Sequence, residues 1–137
     1  MSFFFSLHQF ADVALLALRI ALGIIFLVHG THKRKFWSMQ PSPQLPAGTL
    51  NTLRLLSIAE PAGGLGVLFG LLTQLAALGL ALVMLGALNF LITKVHRKFT
   101  GDNVAGWEFE FLLLIVALAI AILGGGKYAL DRLVFGI

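Results

Sequence analysis

The stretch LLSIAEPAGGLGVLFGLL, residues 55–72, is followed after only Thr73-Gln74 by LAALGLALVMLGALNFLIT, residues 75–93. A helix rises 1.5 Å per residue, so about 20 apolar residues cross a hydrocarbon layer of about 30 Å. No water is available in that layer, and the backbone must satisfy its own hydrogen bonds as helix. The joint at Thr73-Gln74 leaves room only for a tight hairpin, which makes the two runs antiparallel neighbours. Similar runs occupy residues 13–30 and 107–124. The sequence therefore predicts an all-α membrane protein, an up-down bundle of four transmembrane helices. One domain fills residues 1–137, with spans at about 13–30, 55–72, 75–93 and 107–124.

Composition points the same way. Hydrophobic residues make up 58% of the chain and charged residues 12%, against about 25% charged in a soluble domain. Cysteine is absent, which removes thiol chemistry and iron–sulfur ligation from the chain's own repertoire. Residues 1–12 carry no Lys or Arg, Arg19 interrupts the first apolar run, and no small-residue cleavage site follows Gly30. The first run is thus expected to be a retained helix, not a cleaved signal.

Basic residues are distributed unevenly. Lys33, Arg34, Lys35 and Arg54 lie between spans 1 and 2, and Lys94, Arg97 and Lys98 between spans 3 and 4; the other side has Lys127 and Arg132. The positive-inside rule places both basic loops in the cytoplasm and both termini outside it. Residues 37–53, with Pro41, Pro43, Pro46 and Gly48, read as an extended loop. Thr100-Gly101-Asp102-Asn103 reads as a turn and Gly124-Gly125-Gly126 as a helix stop. Phe3, Phe4, Phe5, Phe36, Trp37, Trp107 and Tyr128 form an expected interfacial belt. Ala62, Gly66 and Gly70 recur at fourfold spacing in span 2, as do Ala77 and Ala81 in span 3 and Ala117 and Ala121 in span 4. Such stripes let helices approach closely, within one bundle or in a homo-oligomer.

Polar residues inside the spans are the candidate functional groups, because charge in hydrocarbon costs about 2.5–3.5 kcal/mol even on insertion scales. They are Arg19, His29, Glu60, Asn89, Glu108 and Glu110. Helix rise puts Arg19 about 9 Å below the outer edge and Glu60 about 7.5 Å from the inner edge, so a direct pair between them is not expected. Glu60 instead shares its level with His29, Asn89 and the span-4 glutamates, a predicted polar cluster at the inner mouth. Pro61 removes a helix hydrogen bond beside it and frees the Ser57 carbonyl, and Gly63 and Gly64 leave space over that face. Glu108 and Glu110 lie 200° apart on a helix; periodicity turns Glu110 inward, with Leu114, Ala117 and Ala121.

Each group also has a structural reading. Arg19 can snorkel or bind helix-end carbonyls, His29 can sit at the interface, and Glu108 and Glu110 can serve the helix dipole. Asn89 can join helices by hydrogen bonding. Of His8, His29, His32 and His96, no two sit at facing depths, so bis-histidine haem is not expected. No metal-protease, nucleotide-binding or Ser-His-acid pattern occurs. The basic clusters suit topology and anionic lipids rather than nucleic acid.

The chain resembles the DoxX-like family of membrane proteins. The resemblance rests on Leu18-Arg19-Ile20-Ala21-Leu22-Gly23 with His29-Gly30, on Glu60-Pro61-Ala62-Gly63-Gly64 running to Gly70-Leu71-Leu72-Thr73 with Ala76-Ala77, on Gly106-Trp107-Glu108-Phe109, and on Gly124-Gly125-Gly126. It implies a multi-pass protein of a bacterial plasma membrane, and marks Arg19, Glu60 and Glu108 as the positions that matter. The family is named for its similarity to a membrane subunit of thiosulfate:quinone oxidoreductase, which implies a quinone link by analogy. The expected role is thus an integral-membrane component of a redox or detoxification system, binding a quinone or similar amphipathic molecule. No intrinsic cofactor is expected; redox chemistry would come from a partner subunit or the quinone, and any enzymatic role would be that of a subunit of a quinone-linked oxidoreductase. Two other classes stand beside this: a solute or proton permeation unit with Glu60 as carrier, and an anchor that assembles other subunits. A cavity at Glu60 favours the first two, and a filled core favours the anchor.

Overall fold

The computed structural model describes residues 6–101 and 104–136. Phe3, Phe4 and Phe5 of the expected belt, and Asp102 and Asn103 of the expected turn, lie outside the described residues. The fold is a helical membrane bundle. Its helices are α1 (Ala11–His32), α2 (Ala47–Phe69), α3 (Thr73–Thr93) and α4 (Glu108–Leu123), with a short α5 (Leu130–Phe135). Helices α1, α2 and α3 are long and apolar enough to cross a membrane. At 16 residues, α4 reaches about 24 Å. The chain entering it is tied back by the Trp107 and Glu108 amides, which donate to the Lys98 and Phe99 carbonyls. Edge-on packing among Phe99, Trp107 and Phe111 covers that turn.

Two joints differ from expectation. The loop expected over residues 37–53 is already helix from Ala47. Pro46 is the last residue that blocks a helix, and its carbonyl accepts the first bond, from the Leu50 amide. Leu50 is fully buried, and Arg54 donates to the Phe36 and Met39 carbonyls, pinning the 3-10 turn Lys33–Trp37 against the helix. The hairpin expected at Thr73-Gln74 sits earlier, at Gly70–Leu72. Gly70 has φ +70, and the Leu71 amide reaches back to the Gly66 carbonyl. That left-handed stop needs no Cβ and ends α2 at Phe69, so Thr73 and Gln74 open α3.

Close approaches of small residues set the packing. A Cβ on Gly23 would come within 2.8 Å of the Gly64 carbonyl oxygen, and one on Gly30 would strike the Pro61 ring. These two points fix α1 on α2, and α2 remains one helix through Pro61. Gly63 faces Leu80 and Gly66 faces Ala76 across the α2–α3 pair. Ala62, expected on the packing stripe, is exposed. Helices α3 and α4 meet through Ala77, Ala81 and Ala117, all nearly inaccessible, within a core that includes Leu22, Phe26, Leu80 and Ile120.

Candidate functional site

Two polar assemblies occupy opposite ends of the bundle. At the hairpin end, Arg19 is 1% exposed. Its Nε donates to the Val67 carbonyl at 2.9 Å, one terminal nitrogen to Leu68 at 3.1 Å and the other to Gly125 at 2.7 Å. Val67 and Leu68 lie in the last turn of α2, where the helix's own amides run out, although the Val67 carbonyl also accepts from the Gly70 amide at 3.2 Å. A guanidinium supplies five fixed donors and suits the negative end of a helix dipole. Arg19 thereby joins α1, the end of α2 and the chain leaving α4.

Asp131 completes this end. Its carboxylate accepts from the Leu72 amide at 2.6 Å, the Thr73 amide at 2.8 Å and the Thr73 hydroxyl at 2.6 Å. It caps α3 from a position 58 residues away. Partial burial works against its charge, but the Thr73 and Leu72 bonds and the nearby Arg19 charge outweigh that and hold its carboxyl below the ordinary aspartate range. Asp12 accepts from the Lys127 amide at 2.9 Å, a further stitch between the N-terminal and C-terminal segments.

At the opposite, basic-loop end, Glu60 is 1% exposed and faces Lys33. The ammonium bonds both carboxylate oxygens, with Nζ–Oε2 at 2.6 Å. Lys33 starts the turn after α1, so its long stem reaches from the helix end back toward the carboxylate. A membrane-buried carboxylate needs such a partner. Beside the pair lies a mostly apolar cavity of about 590 Å³. Lys33, His29, Glu60 and Glu110 line it, together with Thr49, Thr52, Leu82, Met84, Gly86, Phe90, Phe109 and Leu113. The His29 ring lies 6.1 Å from the Phe109 ring, centroid to centroid. One oxygen of Glu110 is buried and has no hydrogen-bond partner.

The predicted cluster thus divides. His29, Glu60 and Glu110 meet at the cavity. Asn89 does not; it is exposed and does not line the cavity, and its carbonyl accepts from the Thr93 hydroxyl. Glu108 is partly buried with one unpartnered oxygen, but its carboxyl folds against Gly106, away from the lining. Arg19 stands at the other end. The Ser57 hydroxyl donates to the Arg54 carbonyl and accepts from the Trp37 indole N–H, closing the surface behind Glu60. In the sequence Lys33 belongs to a cluster that suits topology and anionic lipids, and no motif marks it as the partner of Glu60. The position of Lys33 one turn after His29 is the available clue, since a lysine stem can reach into a mouth whose depth is only about 7.5 Å. Asp131 had no sequence signal, because its partners are distant in the chain.

Among the described residues no cluster of three or more His, Cys, Asp or Glu side chains is arranged to hold a metal ion. For a neutral carbonyl-bearing head such as a quinone, Lys33 and His29 in the lining offer donors.

Comparison with known proteins gives the same fold a wider frame. The family model described as DoxX matches residues 14–97, which include Arg19, His29, Lys33, Glu60 and Asn89. The candidate oxidoreductase CatD of Bacillus subtilis (strain 168) is 33% identical over 128 residues, covering 90% of this chain and 89% of CatD. The inner membrane protein YqjF of Escherichia coli (strain K12) is 32% identical over 131 residues, covering 93% of this chain and 96% of YqjF. No solved structure matches the chain.

Proposed function

The chain belongs to the DoxX family of membrane proteins, and from that premise we propose that it is a membrane component of a redox or detoxification system that binds a quinone or similar amphipathic molecule. One observation carries this reading: an apolar cavity of about 590 Å³ ends in a buried carboxylate–ammonium pair and an unpartnered glutamate oxygen. Pockets of this size take small organic ligands, with a few polar groups fixing orientation. Lys33 and His29 would donate to the ligand's carbonyl oxygens, and Glu60 would hold the Lys33 ammonium in place. The bound quinone would supply the electron-accepting chemistry, with electrons coming from a partner subunit. The name of CatD supports a redox setting, and that of YqjF an inner membrane. We further propose that the basic-loop end is cytoplasmic and both termini lie outside, on the count of basic residues.

The permeation reading draws support from the same cavity but not from the hairpin end, where Arg19 and Asp131 tie the chain together. The test is decylubiquinone binding to the wild type and Glu60→Gln in nanodiscs, paired with mass spectrometry of molecules that co-purify. Glu60→Gln should keep the fold and lose binding by about tenfold or more. Unchanged binding with the variant removes the site, and the anchor reading then takes precedence.

A further inference from the structure

Helices α2 and α3 are in close contact near their hairpin and part toward the other end. Gly63 and Gly66 on α2 leave no room for a Cβ against Leu80 and Ala76 on α3. Farther along, a Cβ added at Gly86 would meet nothing within 4 Å. The cavity lies in this gap. Several of the residues that line it are also on the outside of the bundle, where Leu82 is 62% exposed and Phe90 51%. Both belong to a helix apolar and long enough to span the membrane, so the side on which they stand is met by lipid chains. Lys33, His29, Glu60 and Glu110 line the same cavity and form its polar wall.

We propose that the cavity opens sideways into the bilayer between α2 and α3, and that its occupant is a lipid-soluble molecule with one neutral, carbonyl-bearing head and one flexible apolar tail. The head sits against Lys33 and His29, the two donors in the lining. The tail leaves past Gly86 and Phe90 into the lipid. This deepens the proposed function and rests on its reading of the cavity as a ligand site. Charge selects the head. The polar wall has one ammonium, Lys33, already paired with Glu60, and a second carboxylate at Glu110. A phosphate head would face two carboxylates and a cation already engaged, whereas a neutral acceptor meets donors without repulsion. Volume limits the rest: about 590 Å³ seats a ring and the start of a chain, and an open side lets the remainder stay in hydrocarbon.

Two glycines of α3 provide the experiment. Gly86 lines the cavity; Gly79 does not, and a Cβ at either meets nothing within 4 Å. Gly86→Trp should fill the opening, and Gly79→Trp serves as the matched control facing lipid. Binding is measured in nanodiscs for decylubiquinone and for the tail-less benzoquinone head, each at known membrane concentration. The wild type should bind the decyl compound about tenfold tighter than the head alone. Gly86→Trp should remove that gain and leave head binding within about twofold, while Gly79→Trp matches the wild type. If Gly86→Trp retains the gain while Glu60→Gln loses binding, the lateral opening is wrong and the cavity site stands. If Gly86→Trp loses head and tail binding alike, or Gly79→Trp loses the gain as well, the tail does not occupy this gap. If the wild type binds neither compound, or Glu60→Gln binds both like the wild type, the ligand-site reading fails and the lateral opening with it.

Discussion

Glu60 on α2 and Lys33 just beyond α1 form an ion pair with Nζ–Oε2 at 2.6 Å, the carboxylate 1% exposed and the lysine side chain 23% exposed. The asymmetry matters. Lysine can swing its head toward lipid headgroups and water if its partner is lost. Glu60 cannot move out of the bundle without disturbing the Gly30–Pro61 contact one residue away.

The two single variants should therefore differ. Lys33→Met leaves a buried carboxylate without compensation, a change that costs about 3–5 kcal/mol in buried pairs. Glu60→Gln should cost clearly less, because the freed ammonium can be solvated. The double variant Lys33→Met/Glu60→Gln should recover most of the Lys33→Met loss. Thermal unfolding in a mild detergent checks the order; equal losses for both single variants would show that Lys33 is as confined as Glu60.

Arg19→Gln removes three bonds to carbonyls of α2 and the segment after α4. Hydrogen bonds to a charged group are worth about 1.5–3 kcal/mol each before compensation, so this variant should be among the least stable. Arg19→Lys should rescue it only partly, since one ammonium cannot match the planar fork. Residual folded protein should still bind ligand at Glu60, because the two assemblies stand at opposite ends.

Acid should loosen the hairpin end. The carboxyl of Asp131 is held below its ordinary value in the folded state. A depressed acid contributes stability that is fully present above the unfolded value of about 3.9 and is lost as pH falls through the folded one. Melting temperature in detergent should fall as the pH drops below about 4. Asp131→Asn should begin lower and show a shallower acid limb. The same slope in both proteins would assign acid lability to other carboxylates.

Glycine position, more than glycine count, should govern packing. A Cβ on Gly66 would approach the Ala76 Cβ to 2.8 Å, whereas one on Gly79 meets nothing within 4 Å. Gly66→Leu should cost about 1–3 kcal/mol by overpacking, and Gly79→Leu less than about 0.5 kcal/mol. Detergent melting curves of the two variants measure the difference directly.

Orientation can be read with fusions after Ile137. Alkaline phosphatase there should be active and a fluorescent protein dark, as expected with seven basic residues at the basic-loop end, Arg54 near the start of α2 among them, against two beyond α4. The opposite pair of results inverts the bundle and moves the Glu60 end outside.

Sequence alone determined that the apolar runs become helices of a membrane bundle, because length, hydropathy and the lack of water in a bilayer leave the backbone no other choice. It also brought His29, Glu60 and Glu110 to one level, since depth follows from rise along each helix. Rotation and helix ends were less legible. Hydropathy could not see that Thr49 and Thr52 continue α2 once Pro46 is passed, or that Gly70 would stop it in a left-handed turn. Tertiary structure decided which partner each charge found. Lys33 reaches Glu60 across two helices, Arg19 turns to carbonyls rather than to a carboxylate, and Asp131 caps a helix that begins 58 residues earlier. Asn89, at the right depth, points elsewhere because depth does not specify azimuth. Those choices depend on where glycines let helices touch and where helices part, and a pattern of hydropathy along the chain carries no record of either.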